Sequence, residues 1–262
     1  MMELNPVQLY FEEHGQGIPV VLVHGFPLDH TIWEPLLPIL KEKARIILPD
    51  MRGHGASPVI EGPSSMRLMA ADIAALLDKL DIDKAILVGH SMGGYVGLAF
   101  AHAYPNRLAG LGLIATQAAA DTPERRQDRL NLADEIGRKG VRHLAENMSI
   151  RLTTRRELSP ALRTLILKIN PKGAIGALKG MADRPDLTDF LPSITIPSLV
   201  LAGSDDVIMP IERPQTMAKM LARAWFVEIH SAGHLPMMEY PQQVAEALDQ
   251  LIEGVNGYEQ KD

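Results

Sequence analysis

The sequence predicts an α/β fold in which a mostly parallel central sheet carries helices on both faces and receives an inserted helical cap. Strand-like apolar runs alternate with helix-like segments along much of the chain, and this alternation is typical of a parallel sheet. Several of these runs are apolar throughout, as strands covered on both faces are. From residue 117 to residue 189, by contrast, no strand-like run occurs. We therefore predict a core domain of residues 1–116 and 190–262, with residues 117–189 inserted in it as the cap.

The first half of the chain supplies most of the predicted strands and helices. Residues 7–12 alternate apolar and polar side chains, which predicts an edge strand. The other strands of this half are predicted from apolar runs, at 18–23, 45–49, 85–90 and 109–114. Helices are predicted between them at about 33–40, after Ser64 or Ser65, and at 92–103.

The cap is predicted to be a cluster of short helices. Thr122-Pro123, Ser159-Pro160 and Asn170-Pro171 each place a capping residue before a proline, a pattern typical of helix starts. The arginines of the cap are spread among acidic and other polar residues, which favours a solvated outer face over an anion-binding site. Apolar cap residues such as Met148 and Met181 are expected to face either the core or a bound substrate.

Ser91 is the strongest candidate for a reactive residue. It lies between an apolar strand and a helix, with Gly89 and Gly93 two residues to either side, which is the G-x-S-x-G spacing. Glycines at these positions let the backbone approach closely, and the helix N-terminus favours developing negative charge. One alternative is an ordinary loop with a capping serine; another, a phosphate-binding loop, is disfavoured because the Gly-Lys-Ser/Thr ending is missing. A serine nucleophile also needs a histidine base and a group that orients the base.

Both partners occur at the ends of later strands. The predicted strand at 198–202 leads to Asp205 and Asp206, and the predicted strand at 225–229 leads to His234. The carboxyl ends of parallel strands lie along one edge of a sheet, where ligands bind. Ser91, Asp206 and His234 are therefore expected to meet in space, with Asp205 as a neighbouring candidate for the acidic position.

The remaining polar residues of this edge receive structural interpretations. His24, His54 and His90 could in principle bind a metal, but no pair of them has the i, i+4 spacing of a zinc motif on a helix. We expect His24 to stabilise its loop and His90 to pack beside the nucleophile. Asp50 and Arg52 are expected to pair with each other and to fix their loop.

Composition excludes several classes of function. A net charge of −6 argues against a nucleic-acid partner, because proteins that bind nucleic acids usually present a basic surface. The chain has no cysteine, which excludes disulfides, thiolate metal sites and a cysteine nucleophile. No leader-like segment opens the sequence, and no apolar run approaches the roughly 20 residues of a membrane-spanning helix. The expectation is a cytoplasmic protein with no membrane partner, as a monomer or homodimer.

Five motifs in chain order resemble the α/β-hydrolase fold superfamily over nearly the whole sequence. They are His24-Gly25, the loop from Asp50 to Gly55, Gly89-His90-Ser91-Met92-Gly93-Gly94, Gly203-x-x-Asp206-x-x-x-Pro210 and Ala232-Gly233-His234. The order of serine, acid and histidine is also that of this superfamily. Within it the chain is most similar to the small capped serine esterase and lactonase branch, which includes 3-oxoadipate enol-lactonases and perhydrolase-like esterases.

The resemblance implies a hydrolase of carboxylic esters or lactones. Ser91 would be the nucleophile, His234 its acid and base, and Asp206 the carboxylate that orients His234; the family spacing favours Asp206 over Asp205. The backbone N–H groups of Phe26 and Met92 would form the oxyanion hole, and no metal or organic cofactor is implied. Four apolar side chains are candidates to bind a small, largely apolar substrate: Phe26, Trp33, Met148 and Met181.

Other functions remain open at this point. Carbon–carbon bond hydrolases, cofactor-free perhydrolases and a lyase use the same triad, and some proteins of this fold bind a small ligand as receptors. Haloalkane dehalogenases and epoxide hydrolases use an aspartate nucleophile, and this chain has Ser91 at that position. Repeated turnover is the property that separates an esterase from a receptor.

Overall fold

The computed structural model describes residues 5–259, which contain a seven-stranded sheet. The strands in chain order are β1 (Phe11–His14), β2 (Pro19–Val23), β3 (Arg45–Pro49), β4 (Ala85–His90), β5 (Leu108–Ile114), β6 (Ser198–Gly203) and β7 (Ala224–Ile229). They are arranged in the order β1-β3-β2-β4-β5-β6-β7, and β1 alone is antiparallel to its neighbour. The predicted fold class, with its mostly parallel sheet, is confirmed.

Burial explains which apolar runs became central strands. Every residue of β4 and of β6 is buried, as expected for strands that are covered on both faces. The edge strand β1 is only partly buried and lies a few residues later than the predicted 7–12. Its bounds are set by the partner strand, because Phe11 pairs with Pro49 and His14 pairs with Ile46.

Four of the helices begin where the capping residues predict a helix start. They are α1 (Leu37–Leu40), α2 (Met66–Lys79), α3 (Met92–Ala103), α4 (Pro123–Lys139), α5 (Arg142–Arg151), α6 (Ser159–Leu167), α7 (Pro171–Ala182), α8 (Glu212–Met220), α9 (Pro236–Glu239) and α10 (Pro241–Glu259). Ser65 caps α2, Thr122 caps α4 and Asn170 caps α7 through side-chain oxygens. Helix α5 has no side-chain cap, so no capping pattern predicts its start. Within the described residues, no helix is both long enough and apolar enough to cross a membrane.

The helix predicted at 33–40 is divided in two. Residues His30–Leu36 form a 3-10 helix, and only Leu37–Leu40 form the short helix α1. Pro35 lies inside the first part and Pro38 near the start of the second. Because a proline has no N–H to donate and restricts the residue before it, these two positions interrupt a continuous α-helix.

Four helices lie between β5 and β6 in the chain. Residues 115–197, all of them described, contain α4, α5, α6 and α7 and no strand. Helix α4 packs on α7, and α5 packs on α6. The division of the chain into a core and a cap with boundaries at 117 and 189 stays a prediction.

Helix α7 lies directly on the loop that follows β3. Gly173 and Gly180 are so close to this loop that an added Cβ would collide with the carbonyl oxygens of Gly53 and Ser64. The N–H of Ser64 also donates to the carbonyl of Gly176, at 2.9 Å. The contact between helix and loop is therefore made by backbone against backbone.

The expected pair of Asp50 and Arg52 does not form. The guanidinium of Arg52 instead binds the carboxylate of Asp72 on α2, at 2.5 and 2.6 Å, and both side chains are buried. Asp50 accepts hydrogen bonds from the backbone N–H of His30 at 2.9 Å and of Ala56 at 2.8 Å. Because these backbone donors occupy the oxygens of Asp50, Arg52 finds its counter-charge 20 residues away.

We expect Asp72→Asn to destabilise the fold by about 3–5 kcal/mol, because it leaves the buried Arg52 guanidinium without a counter-charge. The matched control is Asp78→Asn on the same helix, whose carboxylate is 66% exposed and lies 2.7 Å from Arg107. Removal of this exposed pair is expected to cost about 1 kcal/mol or less. Urea denaturation measures both, and equal midpoints for the two variants would contradict a specific contribution from the buried pair.

Candidate active site

Ser91 occupies a strained turn between β4 and α3. Its φ of +51° lies in the left-handed region, which residues other than glycine rarely adopt. A Cβ on Gly89 would collide with the carbonyl of Gly93, and a Cβ on Gly93 would collide with the carbonyl of Val23. The glycines of the motif are thus required by the close passage of three backbone segments, which hold Ser91 at the carboxyl end of the sheet.

His234 follows β7 and contacts the carboxylate that follows β6. Its Nδ1 lies 2.6 Å from Oδ2 of Asp206, and both residues are buried. The other oxygen of Asp206 accepts hydrogen bonds from the backbone N–H of Ile208 at 2.8 Å and of Met209 at 2.9 Å. The carboxylate therefore has a fixed orientation, with one oxygen held by the backbone and one directed at the imidazole. A carboxylate only accepts hydrogen bonds, so Nδ1 donates to it, and in the neutral ring Nε2 is then left as an acceptor.

The neighbouring acid, Asp205, points elsewhere. Its side chain is exposed, and Oδ1 accepts a hydrogen bond from the hydroxyl of Ser204 at 2.8 Å. Of the two adjacent aspartates, the structure brings only Asp206 to His234.

Ser91 and His234 line the same cavity, which has a volume of about 220 Å³. Three of the four residues predicted to bind substrate also line it: Phe26, Met148 and Met181. The lining further contains residues that sequence analysis did not single out, namely Tyr95, Arg125, Asp128, Arg129, Leu132, Arg151, Leu178, Ile208 and Met209. Four of these, Arg125, Asp128, Arg129 and Leu132, are spaced i, i+3, i+4 and i+7 along α4, a pattern visible in the sequence.

The structure places Trp33, the fourth predicted substrate-binding residue, in the core. Its side chain is fully buried and its indole packs edge-on against the ring of His90, with centroids 6.5 Å apart. Trp33 lies in the 3-10 helix, whose buried face also includes Ile32 and Leu36. Because this segment directs its apolar side chains into the core, Trp33 packs against the ring of His90 and does not line the cavity.

The two residues of the predicted oxyanion hole lie on adjacent segments. Met92 is the first residue of α3, where a helix has no intrahelical acceptor for its N–H groups. Phe26 follows His24 and Gly25 in a loop that packs on β4 so closely that a Cβ on Gly25 would lie 2.5 Å from Nδ1 of His90. Phe26 itself is buried and lines the cavity with Ser91.

The three buried histidines near Ser91 are tied to the backbone. Nε2 of His24 accepts the N–H of Met51 at 2.9 Å, and Nε2 of His90 lies 2.8 Å from the carbonyl of His234. Burial lowers the pKa of His54 to about 3 and holds the pKa of His90 well below its ordinary value. These side chains are therefore neutral supports of the loops, as expected for His24 and His90.

A different group has metal-binding residue types. Among the described residues, ligand atoms of Asp29, His30 and Asp50 lie within 4.8 Å of one another. Nδ1 of His30 is 2.7 Å from Asp50, and this hydrogen bond raises the pKa of His30. The pairing of His30 with Asp50 is accounted for by this hydrogen bond between an imidazole and a buried carboxylate.

Glu239 links the loop of His234 to Thr154, which lies in the helical segment between β5 and β6. Sequence analysis did not single out this residue. This carboxylate is buried and accepts the backbone N–H of Gly233 at 3.1 Å. It also accepts the N–H of Thr154 at 3.2 Å, and the Thr154 hydroxyl lies 2.5 Å from it. Three donors from two segments thus meet one carboxylate beside His234.

We expect Glu239→Gln to destabilise the protein by about 2 kcal/mol, because the amide places N–H donors against N–H donors and removes a charged acceptor. Glu246→Gln on α10 is the matched control, since that side chain is exposed and its one hydrogen bond within residues 5–259 is with Gln242, at 3.0 Å. Urea midpoints measure the difference. Indistinguishable midpoints would show that the Glu239 bonds contribute nothing net.

Comparison with known proteins places this geometry among hydrolases. A sequence model of the alpha/beta hydrolase fold matches residues 18–241. A pimeloyl-[acyl-carrier protein] methyl ester esterase of Legionella pneumophila is 29% identical over 94% of this chain and 100% of its own length. A 3-oxoadipate enol-lactonase of Acinetobacter baylyi is 28% identical over 95% of both chains. The solved structure of a thermophilic esterase from Thermogutta terrifontis, with malate bound, has 44% identity and a TM-score of 0.91, covering 94% of this chain and 93% of its own.

Proposed function

We propose that this chain, which belongs to the alpha/beta hydrolase fold family, is a serine hydrolase that cleaves carboxylic esters or lactones of small, largely apolar substrates. The observation that carries the proposal is the cavity shared by Ser91 and His234, with Asp206 hydrogen-bonded behind the imidazole. The likeness to esterases and an enol-lactonase supports ester hydrolysis in general. The residue roles and the substrate class are our proposal.

The roles follow from the positions of the three side chains. Oγ of Ser91 attacks the ester carbonyl while Nε2 of His234 takes its proton and then returns it to the departing alcohol; such acid and base catalysis is worth about 10²–10⁴ in rate. Asp206 keeps the proton on Nδ1 and stabilises the imidazolium. Water activated by His234 then hydrolyses the acyl-enzyme and frees Ser91.

The oxyanion of the tetrahedral intermediate would be bound by the backbone N–H groups of Met92 and Phe26. One such donor is typically worth about 10²–10³ in rate. Because the donors belong to the backbone, the side chain of Phe26 is free to line the cavity. Every step uses groups of this chain and water.

Substrate size is proposed from the cavity wall. Phe26, Met148 and Met181 give it an apolar inner part, and about 220 Å³ accommodates a short acyl chain or a small ring. We therefore expect kcat/KM for p-nitrophenyl esters to be highest for acyl chains of two to six carbons.

A panel of p-nitrophenyl esters from acetate to laurate tests the proposal. The same protein is treated with diethyl p-nitrophenyl phosphate, which should stop turnover and add one diethylphosphoryl group to the peptide that contains Ser91. A maximum at ten or twelve carbons would overturn the proposed substrate size. Absence of turnover by the folded protein, together with absence of labelling, would overturn the hydrolase proposal.

A further inference from the structure

The cavity of Ser91 has a charged end that the proposed ester chemistry does not use. Arg125 on α4 and Arg151 at the end of α5 line this cavity, and both side chains are exposed. Within residues 5–259, neither guanidinium has a hydrogen-bond or ion-pair partner. The cap arginines are thus not all part of an outer solvated face, because these two turn towards the catalytic cavity.

The third arginine of the lining is already occupied. Nε of Arg129 donates to Asp121 at 2.6 Å, and Asp121 also binds Arg184 at 2.8 Å. A further N–H of Arg129 lies 3.3 Å from the sulfur of Met181. Arg129 is therefore a fixed part of the wall, whereas Arg125 and Arg151 have free donors.

The exposure of the lining residues decreases from the mouth of the cavity to its inner end. Arg125, Asp128 and Arg151 are exposed, Leu132 is half-buried, and Phe26 is buried beside the catalytic residues. Along α4, the seven steps from Arg125 to Leu132 span about 10 Å. The cavity therefore changes from apolar near the reacting carbonyl to charged at its mouth.

The mouth is locally positive on a chain of net charge −6. Two free guanidinium groups face it, against the single exposed carboxylate of Asp128. Guanidinium groups bind carboxylates through paired N–H donors, and a cleft lined by one sign of charge concentrates ligands of the opposite sign.

We propose that Arg125 and Arg151 bind a carboxylate at the far end of the substrate, so that the preferred substrates are esters or lactones that carry an acidic group several atoms from the scissile carbonyl. This inference rests on the proposed hydrolase function and specifies its substrate class. Half-esters of dicarboxylic acids have the required chemistry. In this binding mode their methyl-ester end lies in the apolar part of the cavity and their free carboxylate points towards the mouth.

The test compares two substrates of equal length, monomethyl adipate and methyl hexanoate, by the rate of methanol release. We expect the parent to prefer the half-ester in kcat/KM by about tenfold, and Arg125→Gln or Arg151→Gln to reduce this preference by about three- to tenfold. Asp128→Asn should increase the preference, because it removes the one opposing charge. Added NaCl should reduce it in the parent, since exposed charges are screened beyond about 10 Å at 0.1 M.

Arg138→Gln is the matched control. It removes the same charge from the same helix at an exposed position outside the cavity lining, so it should leave the preference unchanged. If the parent hydrolyses both esters without a preference, or if the double variant of Arg125 and Arg151 keeps the parental preference, the carboxylate site is wrong and the hydrolase proposal stands.

Failure of the hydrolase proposal has a different signature. If the parent hydrolyses neither ester, calorimetric titration of the Ser91→Ala protein with adipate and with hexanoate still decides the carboxylate site. The carboxylate site would be supported if adipate bound at least about fivefold more tightly than hexanoate and if this difference were lost in the double variant of Arg125 and Arg151. Equal binding of the two acids would overturn it.

Discussion

Ser91→Ala is expected to lower kcat/KM for p-nitrophenyl butyrate by about 10³-fold or more while leaving the fold intact. The variant removes the hydroxyl that would form the acyl-enzyme, so only substrate binding and the oxyanion donors remain. Alanine meets the same left-handed backbone at φ +51° as serine does, so the exchange adds little new strain. An unchanged urea midpoint would verify that the activity is lost because the nucleophile is absent and not because the protein is unfolded.

Ser193→Ala serves as the control for this first variant. Ser193 is exposed, and its hydroxyl donates to the carbonyl of Phe190 at 2.7 Å, so its loss should leave turnover at the parental level. Retention of more than about a tenth of the parental activity in Ser91→Ala would exclude Ser91 as the nucleophile, since loss of a true nucleophile costs orders of magnitude.

The second large effect is expected for Asp206→Asn, with a loss of about 10³–10⁴ in kcat. Two backbone N–H groups, of Ile208 and Met209, hold one oxygen of Asp206. In the variant these two N–H groups still donate to the oxygen of the new side-chain amide, so its NH₂ group faces Nδ1 of His234. Nδ1 must then accept, the ring proton moves to Nε2, and His234 can no longer take the proton of Ser91.

The adjacent residue provides a closely matched control. Asp205→Asn makes the same chemical change one position earlier, on an exposed side chain that contacts Ser204, and should change kcat by less than about threefold. Steady-state kinetics of both variants with one ester decide the assignment. Similar losses in the two variants would mean that the acidic position is not fixed by the contact between Asp206 and His234.

The sequence predicts well where local pattern and topology determine the outcome. Ser91 lies between a strand and a helix because an apolar run, a glycine-flanked serine and a helical segment follow one another directly. His234 and Asp206 are brought together because each follows a parallel strand, and β6 and β7 are neighbours in the sheet. No detail of side-chain packing is needed for either inference.

Prediction fails where a side chain's position depends on packing between distant segments. The sequence makes Trp33 a candidate to bind substrate, yet two prolines shorten its helix and the indole packs in the core. Arg125 is exposed, as the pattern of the cap arginines predicts, but the sequence does not show that its side of α4 also lines the cavity of Ser91. Arg52 finds Asp72 on α2 because backbone donors of the folded loop have already taken Asp50. Each result depends on contacts that exist only after the elements have assembled.

The backbone contact of α7 limits how substrate range can change by mutation. A side chain at Gly173 or Gly180 would meet main-chain oxygens of Gly53 or Ser64, and these cannot adopt another rotamer to make room. The cavity-facing positions differ from these glycines, because Leu178 and Met181 of α7 and the lining residues of α4 present side chains, and side chains can be exchanged one at a time. A library that aims to alter selectivity should therefore randomise these cavity-facing positions and keep Gly173 and Gly180 constant. Natural divergence among relatives is expected to follow the same division.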